Sequence, residues 1–133
     1  METEIQKKKI LIIEDEVPMM KALTAAFTRE HFQVIEAREG GTGLSIALNQ
    51  HPDVILLDIL LPKIDGLTIL KKLRTEDSEF GRTVPVIFLT NLSANNDAIN
   101  KSITEHSPAY YLVKTEWTTD DIVEKVKERL GMA

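Results

Sequence analysis

Five short apolar segments alternate with five longer amphipathic segments along the chain. The short segments are rich in β-branched and aliphatic residues and do not alternate between polar and apolar side chains. This composition is typical of strands that are covered on both faces. The predicted strands are Ile10 to Ile13, Val34-Ile35, Val54 to Leu57, Val84 to Leu89 and Ala109 to Val113.

The segments between these strands carry apolar residues at helical spacing. In the first of them, Met20, Leu23 and Phe27 share one face, and Pro18 suits the first turn of a helix. The long connection from Thr75 to Thr83 is acidic and is predicted to be a solvated loop. The predicted helices are Pro18 to Arg29, Thr42 to Gln50, Leu67 to Arg74, Ser93 to Glu105 and Thr119 to Leu130.

This order of elements predicts the fold class and the domain organisation. Strands that alternate with helices form a parallel sheet with helices on both faces, which here gives a doubly wound, three-layer (βα)5 sandwich. The 133 residues of the chain match the size of one ordinary domain. We therefore expect a single α/β domain over residues 8–130, an N-terminal extension over residues 1–7 and no output domain.

Composition and charge exclude several classes of protein. The chain has no cysteine, so disulfides and thiolate metal sites are ruled out. Its formal net charge of -5 argues against a surface that coats nucleic acid. No stretch approaches the length of a membrane span, and the apolar run after the first lysines is too short for a signal peptide. We expect a cytoplasmic protein whose partners are neither nucleic acid nor membrane.

Polar residues stand at the carboxyl ends of four predicted strands. Glu14 and Asp15 follow the first strand, Asp58 follows the third, Thr90 follows the fourth apolar run and Lys114 follows the fifth. The carboxyl ends of parallel strands meet at one edge of the sheet, where open α/β folds bind ligands. A polar residue at the end of any one strand is ordinary, but the complete set indicates a site.

This set of residues suits phosphoryl chemistry. Clustered carboxylates raise one another's pKa unless a cation relieves the repulsion. Oxygen ligands without histidine or cysteine select Mg²⁺ or Mn²⁺. An aspartate beside such a metal can act as a nucleophile toward phosphorus, while a hydroxyl and an ammonium hold the other phosphoryl oxygens. The histidines show no ligand spacing and are given no function.

At these residues the sequence resembles the receiver domains of two-component response regulators, especially the stand-alone, CheY-like kind. The resemblance runs from about Lys8 to Leu130 and is carried by KILIIEDE, PDVILLDILLPKIDG, VPVIFLT and YLVK. It implies a five-stranded sheet with the strand order 2-1-3-4-5. It also implies a regulatory phosphoacceptor that is not an enzyme, apart from its own phosphorylation and dephosphorylation.

The resemblance assigns the phosphoacceptor and the metal ligands. Asp58 would accept the phosphoryl group. Asp15 and Asp58 would bind Mg²⁺ directly, together with the backbone carbonyl of Leu60. Glu14 would lie close to the metal and contact it through a bound water.

It also assigns the switch residues. Thr90 would turn toward the phosphoryl group, and Lys114 would pair with it. Tyr111, three residues before that lysine, would move inward as Thr90 moves. Pro62 and Gly66 match the loop that follows the phosphoacceptor in the family.

The sequence departs from the family's pattern directly after the lysine. Proline usually follows, often across a cis peptide bond, but here Thr115 follows Lys114. A cis bond to a residue other than proline costs about 2.5–4 kcal/mol, so we expect a trans bond and a different path for the loop. Whether the lysine still reaches the phosphoacceptor is left open. Trp117 is expected to pack this loop down.

Three further positions bear on the kinetics of phosphorylation. Asn91 stands where alanine or glycine is usual and would narrow the access of a phosphodonor. Leu60 and Leu92 flank the phosphoryl group in the family, and their apolar side chains cannot hold a hydrolytic water by hydrogen bonds. Slow loss of the phosphoryl group is therefore expected.

The preferred functional hypothesis is a switch that phosphorylation activates. A histidine kinase or a phosphotransfer protein would supply the phosphoryl group. A downstream protein would be bound by the face formed by the fourth predicted helix, the fifth strand and the fifth predicted helix. The alternatives are a degenerate receiver that binds partners without phosphorylation and, less favoured, a phosphate-ester hydrolase or a nucleotide-binding protein, for which the glycines of residues 40–43 form no phosphate loop.

Overall fold

The computed structural model describes residues 7–92 and 96–132. Within these residues, five parallel strands form one sheet in the order β2-β1-β3-β4-β5, which confirms the expected topology. The strands are β1 Lys9–Ile13, β2 Gln33–Ala37, β3 Val54–Leu57, β4 Val86–Thr90 and β5 Tyr110–Val113.

Helices connect the strands and cover both faces of the sheet. The predicted start of the fourth helix at Ser93 lies outside the described residues, and the described helix begins at Asp97 after its N-cap residue Asn96. No helix in the described parts of the chain is both long and apolar enough to cross a bilayer. The helices are α1 Val17–Arg29, α2 Gly40–Gln50, α3 Gly66–Thr75, α4 Glu79–Thr83, α5 Asp97–His106 and α6 Thr119–Arg129.

Helix α4 corrects the prediction of a solvated loop between α3 and β4. The hydroxyl of Ser78 caps the helix by accepting the N–H of Gly81 at 3.0 Å. The ring of Phe80 stacks on the imidazole of His51 with a centroid distance of 4.4 Å. The prediction was wrong because it followed the acidic composition of the segment, whereas a cap and a contact to a distant histidine stabilise the turn.

Side chains alternate along the buried strands and enter two apolar cores, one on each face of the sheet. Complete burial of one aliphatic side chain contributes about 1.5–3 kcal/mol. The first core lies against α1 and α6 and includes Ile10, Ile12, Leu23, Phe27, Leu56, Leu112 and Val126. The second lies against α2, α3 and α5 and includes Leu11, Ile13, Ala47, Leu57, Ile69, Phe88 and Ile99. These cores fix the strands and therefore the residues at their carboxyl ends.

Candidate functional site

The parallel sheet brings four of the predicted polar residues to one edge. Glu14 follows β1 and Asp58 follows β3, and the N–H of Asp58 donates to the carbonyl of Ile13 at 3.1 Å. Thr90 is the last residue of β4, and Lys114 follows β5 directly. All four of these polar residues are buried. The strand ends therefore form a small polar cleft within an otherwise apolar sheet.

The ammonium of Lys114 lies at the centre of this cleft. Its Nζ atom is 2.6 Å from Oε1 of Glu14, 2.5 Å from Oε1 of Glu16 and 2.9 Å from Oδ2 of Asp58. The side chain of Lys114 is 4% exposed, whereas that of Glu16 is 53% exposed. One positive charge thus faces three carboxylates, two of them buried.

The electrostatics of the cleft show a shortage of positive charge. The pKa of Glu14 is raised to about 7, mainly by burial and to a lesser extent by the nearby charge of Asp58, while hydrogen bonds from Lys114 and from the backbone of Glu16 act in the opposite direction. Burial alone would lower the pKa of Lys114. Hydrogen bonds to the three carboxylates outweigh burial, so this pKa lies above its ordinary value. The lysine is therefore charged, and it only partly compensates the acids around it.

The loop after β5 begins with the trans peptide bond that Thr115 implies. Among residues 7–92 and 96–132 no peptide bond is cis, so the bond from Lys114 to Thr115 is trans, as predicted. The chain then makes a 3₁₀ turn over Lys114–Glu116. With this trans bond in place, the lysine reaches the carboxylate of Asp58. Trp117 packs against the first core, which confirms its expected role in packing.

The backbone after β3 holds the carboxylate of Asp58 in place. Its Oδ1 accepts the N–H of Leu60 at 3.2 Å, while its Oδ2 accepts from Lys114. Gly66 lies directly behind it, and a Cβ at this position would approach the carbonyl oxygen of Asp58 to 2.3 Å. Only glycine allows α3 to begin so close to this residue.

Thr90 and Tyr111 meet at a single residue, Leu92. The hydroxyl of Thr90 accepts the N–H of Leu92 at 3.4 Å, and the hydroxyl of Tyr111 donates to the carbonyl of Leu92 at 2.8 Å. The ring of Tyr111 packs edge-on against Phe88 with a centroid distance of 5.9 Å. Burial, and to a lesser extent the charge of Asp58, raise the pKa of Tyr111, which keeps its hydroxyl protonated as a donor.

Three carboxylates of the cleft form an acidic group of the kind that can hold a metal ion, and the ammonium of Lys114 lies among them. One oxygen each from Glu14, Glu16 and Asp58 lie within 4.8 Å of one another. Hard oxygen donors without histidine or cysteine among them suit Mg²⁺. Asp15 is half-buried beside this group, and its backbone carbonyl accepts from Arg38 at 3.3 Å. Its carboxylate is not one of the three.

Sequence reasoning missed Glu16. The residue is the third member of the acidic run Glu14 to Glu16, but it lies at the start of α1 and is half-exposed. The sequence did contain a signal for Glu16, namely that it is the third acidic residue in succession. Only the fold shows that its side chain turns back toward the lysine.

Comparison with known proteins shows which family the chain belongs to. Residues 10–127 match the sequence model of the family described as response regulator receiver domain. The chain is 38% identical over 95 residues, 71% of its length, to the probable transcriptional regulator ycf27 of Porphyridium aerugineum. The chain spans 38% of the length of that relative.

Two solved structures share the fold over nearly the whole chain. A CheY-like receiver domain protein of Methanospirillum hungatei JF-1 has a TM-score of 0.84 at 24% identity, with 95% of each chain covered. The receiver domain of the sensor histidine kinase PA1611 of Pseudomonas aeruginosa PAO1 has a TM-score of 0.81 at 25% identity, over 95% of this chain and 99% of that one. The latter holds a magnesium ion in its active-site cleft.

Proposed function

Because the chain belongs to the response regulator receiver domains of two-component signalling, we propose that Asp58 accepts a phosphoryl group and that the modification switches the binding of a downstream protein. The donor is a histidine kinase or a phosphotransfer protein. One observation carries this proposal. The carboxylate of Asp58 is buried and is held through both oxygens, by the N–H of Leu60 and by the ammonium of Lys114 at 2.9 Å.

The transfer step needs no general base in the receiver. An oxygen of the ionised Asp58 carboxylate forms a bond to phosphorus as the bond between phosphorus and the donor atom breaks, and the electron pair of that bond leaves with the donor. Lys114 then pairs with an oxygen of the transferred group. The N–H of Leu60 keeps the carboxylate aligned during the attack.

The metal set proposed for this chain is Asp15, Asp58 and the carbonyl of Leu60, with Glu14 acting through a water. When bound, Mg²⁺ neutralises charge on the phosphoryl oxygens. The carboxylate of Glu16 lies close to those of Glu14 and Asp58, so Glu16 is an alternative to Asp15 as a ligand of the metal. Mg²⁺ titration by calorimetry tests the two assignments, since Asp15→Asn would weaken binding more than Glu16→Gln if the proposed set is correct. The reverse order would assign the ligand to Glu16.

The proposed switch runs through Leu92. When the hydroxyl of Thr90 turns to hydrogen-bond the phosphoryl group, it gives up the N–H of Leu92. Because Tyr111 holds the carbonyl of the same residue, the two side chains respond together. The phosphoryl group thus favours one arrangement of Thr90, Leu92 and Tyr111.

The proposed readout face is formed by α5, β5 and α6. Tyr110, Trp117 and Lys125 lie on it, and the Nζ atom of Lys125 is 5.0 Å from the centroid of the Tyr110 ring and 5.8 Å from that of Trp117. Partly exposed aromatic rings with a nearby cation are typical of recognition surfaces. The downstream partner would bind here.

Beryllium fluoride, a phosphoryl mimic, tests the switch directly. With Mg²⁺ present, it should shift the amide NMR signals of Thr90, Leu92 and Tyr111 in the wild-type protein. The Asp58→Asn variant should show no such shifts. A wild-type protein that gave no response would favour the degenerate receiver that binds partners without phosphorylation.

A further inference from the structure

Glu16 is fixed at the start of α1 by its backbone. It is the N-cap residue of the helix, and its carbonyl accepts the N–H of Met20 at 2.9 Å. Its own N–H donates to Oε2 of Glu14 at 3.1 Å. The backbone of Glu16 is therefore tied both to a helix and to the buried acid of the cleft, and its side chain reaches across the cleft to Lys114.

Lys114, in contrast, has little that fixes its direction through the backbone. Its side chain is a flexible four-carbon stem with a compact charge at the end. The residue after it is Thr115, which lacks the ring by which proline restricts φ. Lys114 also opens a short 3₁₀ turn, a weaker structure than a strand or an α-helix. The ammonium must be aimed by its ion pairs.

We propose that Glu16 is a positioning residue that aims Lys114 at the phosphoryl site. Its carboxylate lies 2.5 Å from Nζ and approaches from the mouth of the cleft, whereas Glu14 and Asp58 approach from the buried side. The contact joins residues that are 98 positions apart and closes the cleft between α1 and the end of β5. This contact with Glu16 restrains the direction of Lys114, which Thr115 does not do because it lacks the ring of proline. This inference rests on the proposed phosphorylation of Asp58.

The contact with Glu16 is compatible with phosphorylation. An ammonium has three N–H donors, and in this structure Glu14, Glu16 and Asp58 each lie within hydrogen-bond distance. When Asp58 carries a phosphoryl group, the donor that faces its Oδ2 turns to a phosphoryl oxygen. The other two contacts stay in place, so Glu16 restrains the lysine before and after the transfer.

If Glu16 acted only through its charge, its removal would be expected to have the opposite effect on the rate of phosphorylation. A negative charge at the mouth of the cleft repels an anionic phosphodonor, so its removal alone would speed the reaction. Positioning requires both the charge and the length of the side chain. Glu16→Gln and Glu16→Asp should therefore both slow phosphorylation by acetyl phosphate, by about threefold to tenfold. A faster Glu16→Gln variant, or an unchanged Glu16→Asp variant, would overturn the proposal.

Glu39→Gln is the matched control. Glu39 is likewise an N-cap residue, of α2, and it pairs with Lys63 at 2.9 Å. Its substitution makes the same change in charge without touching Lys114. The rate of this variant should equal that of the wild-type protein. An equal slowing in both variants would indicate a general effect of charge and contradict the positioning role.

Two further measurements separate this inference from the proposed function. The NMR signal of the Lys114 ammonium should be protected from exchange in the wild-type protein and lost in Glu16→Gln, whether or not Asp58 is phosphorylated. Thr115→Pro, added to Glu16→Gln, should restore part of the lost rate. An ammonium signal that is unchanged in Glu16→Gln would sink the inference even where phosphorylation proceeds. Failure of phosphorylation with the signal changed would instead count against the proposed function alone.

Discussion

At the scale of single residues, the cleft depends on one ammonium among several acids. Lys114 is the only cation within 4.0 Å of Glu14, Glu16 or Asp58 in the described part of the chain. Buried charges are tolerated only when they are paired, and loss of one partner leaves the others uncompensated. The lysine therefore has a structural role in addition to its proposed role at the phosphoryl group.

Replacement of this lysine should destabilise the protein. We expect Lys114→Met to lower the free energy of unfolding by about 3 kcal/mol in EDTA, because it leaves two buried carboxylates without a cation. Mg²⁺ should recover part of the loss. Urea denaturation measures both effects. Lys125→Met is the control, since Lys125 pairs with the exposed Glu128 at 3.5 Å and should contribute less than about 1 kcal/mol.

The raised pKa of Glu14 predicts how stability depends on pH. Its pKa is about 7 in the folded protein against an ordinary value of 4.5. Such a group binds its proton more tightly when folded, so stability is lost as pH rises through this window. In EDTA, Glu14→Gln should therefore gain about 1–3 kcal/mol relative to the wild-type protein between about pH 5 and about pH 8. A difference between the two proteins that stays constant with pH would contradict this account.

The site residues that could be predicted from the sequence are those that lie at the ends of strands. Asp58, Thr90 and Lys114 end strands or follow them directly, so the order of strands alone places them at one edge. Glu16 reaches the same cleft from a helix cap, and the sequence holds no information about the direction of its side chain. The contact of Tyr111 with Leu92 was hidden for the same reason.

At the scale of elements, the start of α3 is set by the space behind Asp58. A methyl group on residue 66 would meet backbone atoms of Asp58 and Ile59 at 2.3 to 2.9 Å. Backbone atoms cannot move aside as a flexible side chain does. The helix would have to shift, and the carboxylate of Asp58 would shift with it.

Gly66→Ala should therefore destabilise the protein by about 2–4 kcal/mol. Gly41→Ala is the control within α2, where an added Cβ would meet only a side-chain atom of Ile64, at 3.9 Å. That variant should be neutral or more stable by up to about 1 kcal/mol, since alanine favours helices. Thermal unfolding of the two variants checks the contrast. Equal effects would show that the close approach at residue 66 relaxes without cost.

The same scale shows where sequence patterns were insufficient. The five strands and the main helices were predictable because their apolar periodicity reflects burial in two cores. Helix α4 was not, because its five residues are too few to show a period and its stabilising contact, between Phe80 and His51, joins distant parts of the chain.

At the scale of the whole molecule, the lifetime of the proposed phosphorylated state would set the duration of the signal. The side chain of Leu60 is exposed beside Asp58, while Leu92 is packed against the second core. Neither side chain can hold a hydrolytic water by a hydrogen bond. We therefore expect slow dephosphorylation, and Leu60→Asn should speed it by about tenfold, as one added hydrogen bond in the transition state would allow.

A discharge assay after removal of the phosphodonor measures this lifetime. Leu61→Asn provides a control at the next residue along the chain. The side chain of Leu61 packs against the second core rather than beside the carboxylate of Asp58. The lifetime of this variant should match that of the wild-type protein. Rapid loss of the phosphoryl group from the wild-type protein would refute the expectation.

The central claim is that Asp58 accepts the phosphoryl group, and intact mass spectrometry tests it most directly. Incubation with acetyl phosphate and Mg²⁺ should add the mass of one phosphoryl group to the wild-type protein, and EDTA should prevent the gain. Asp58→Asn should gain nothing under the same conditions. An Asp58→Asn variant that gained the same mass, or a wild-type protein that gained none, would contradict the account.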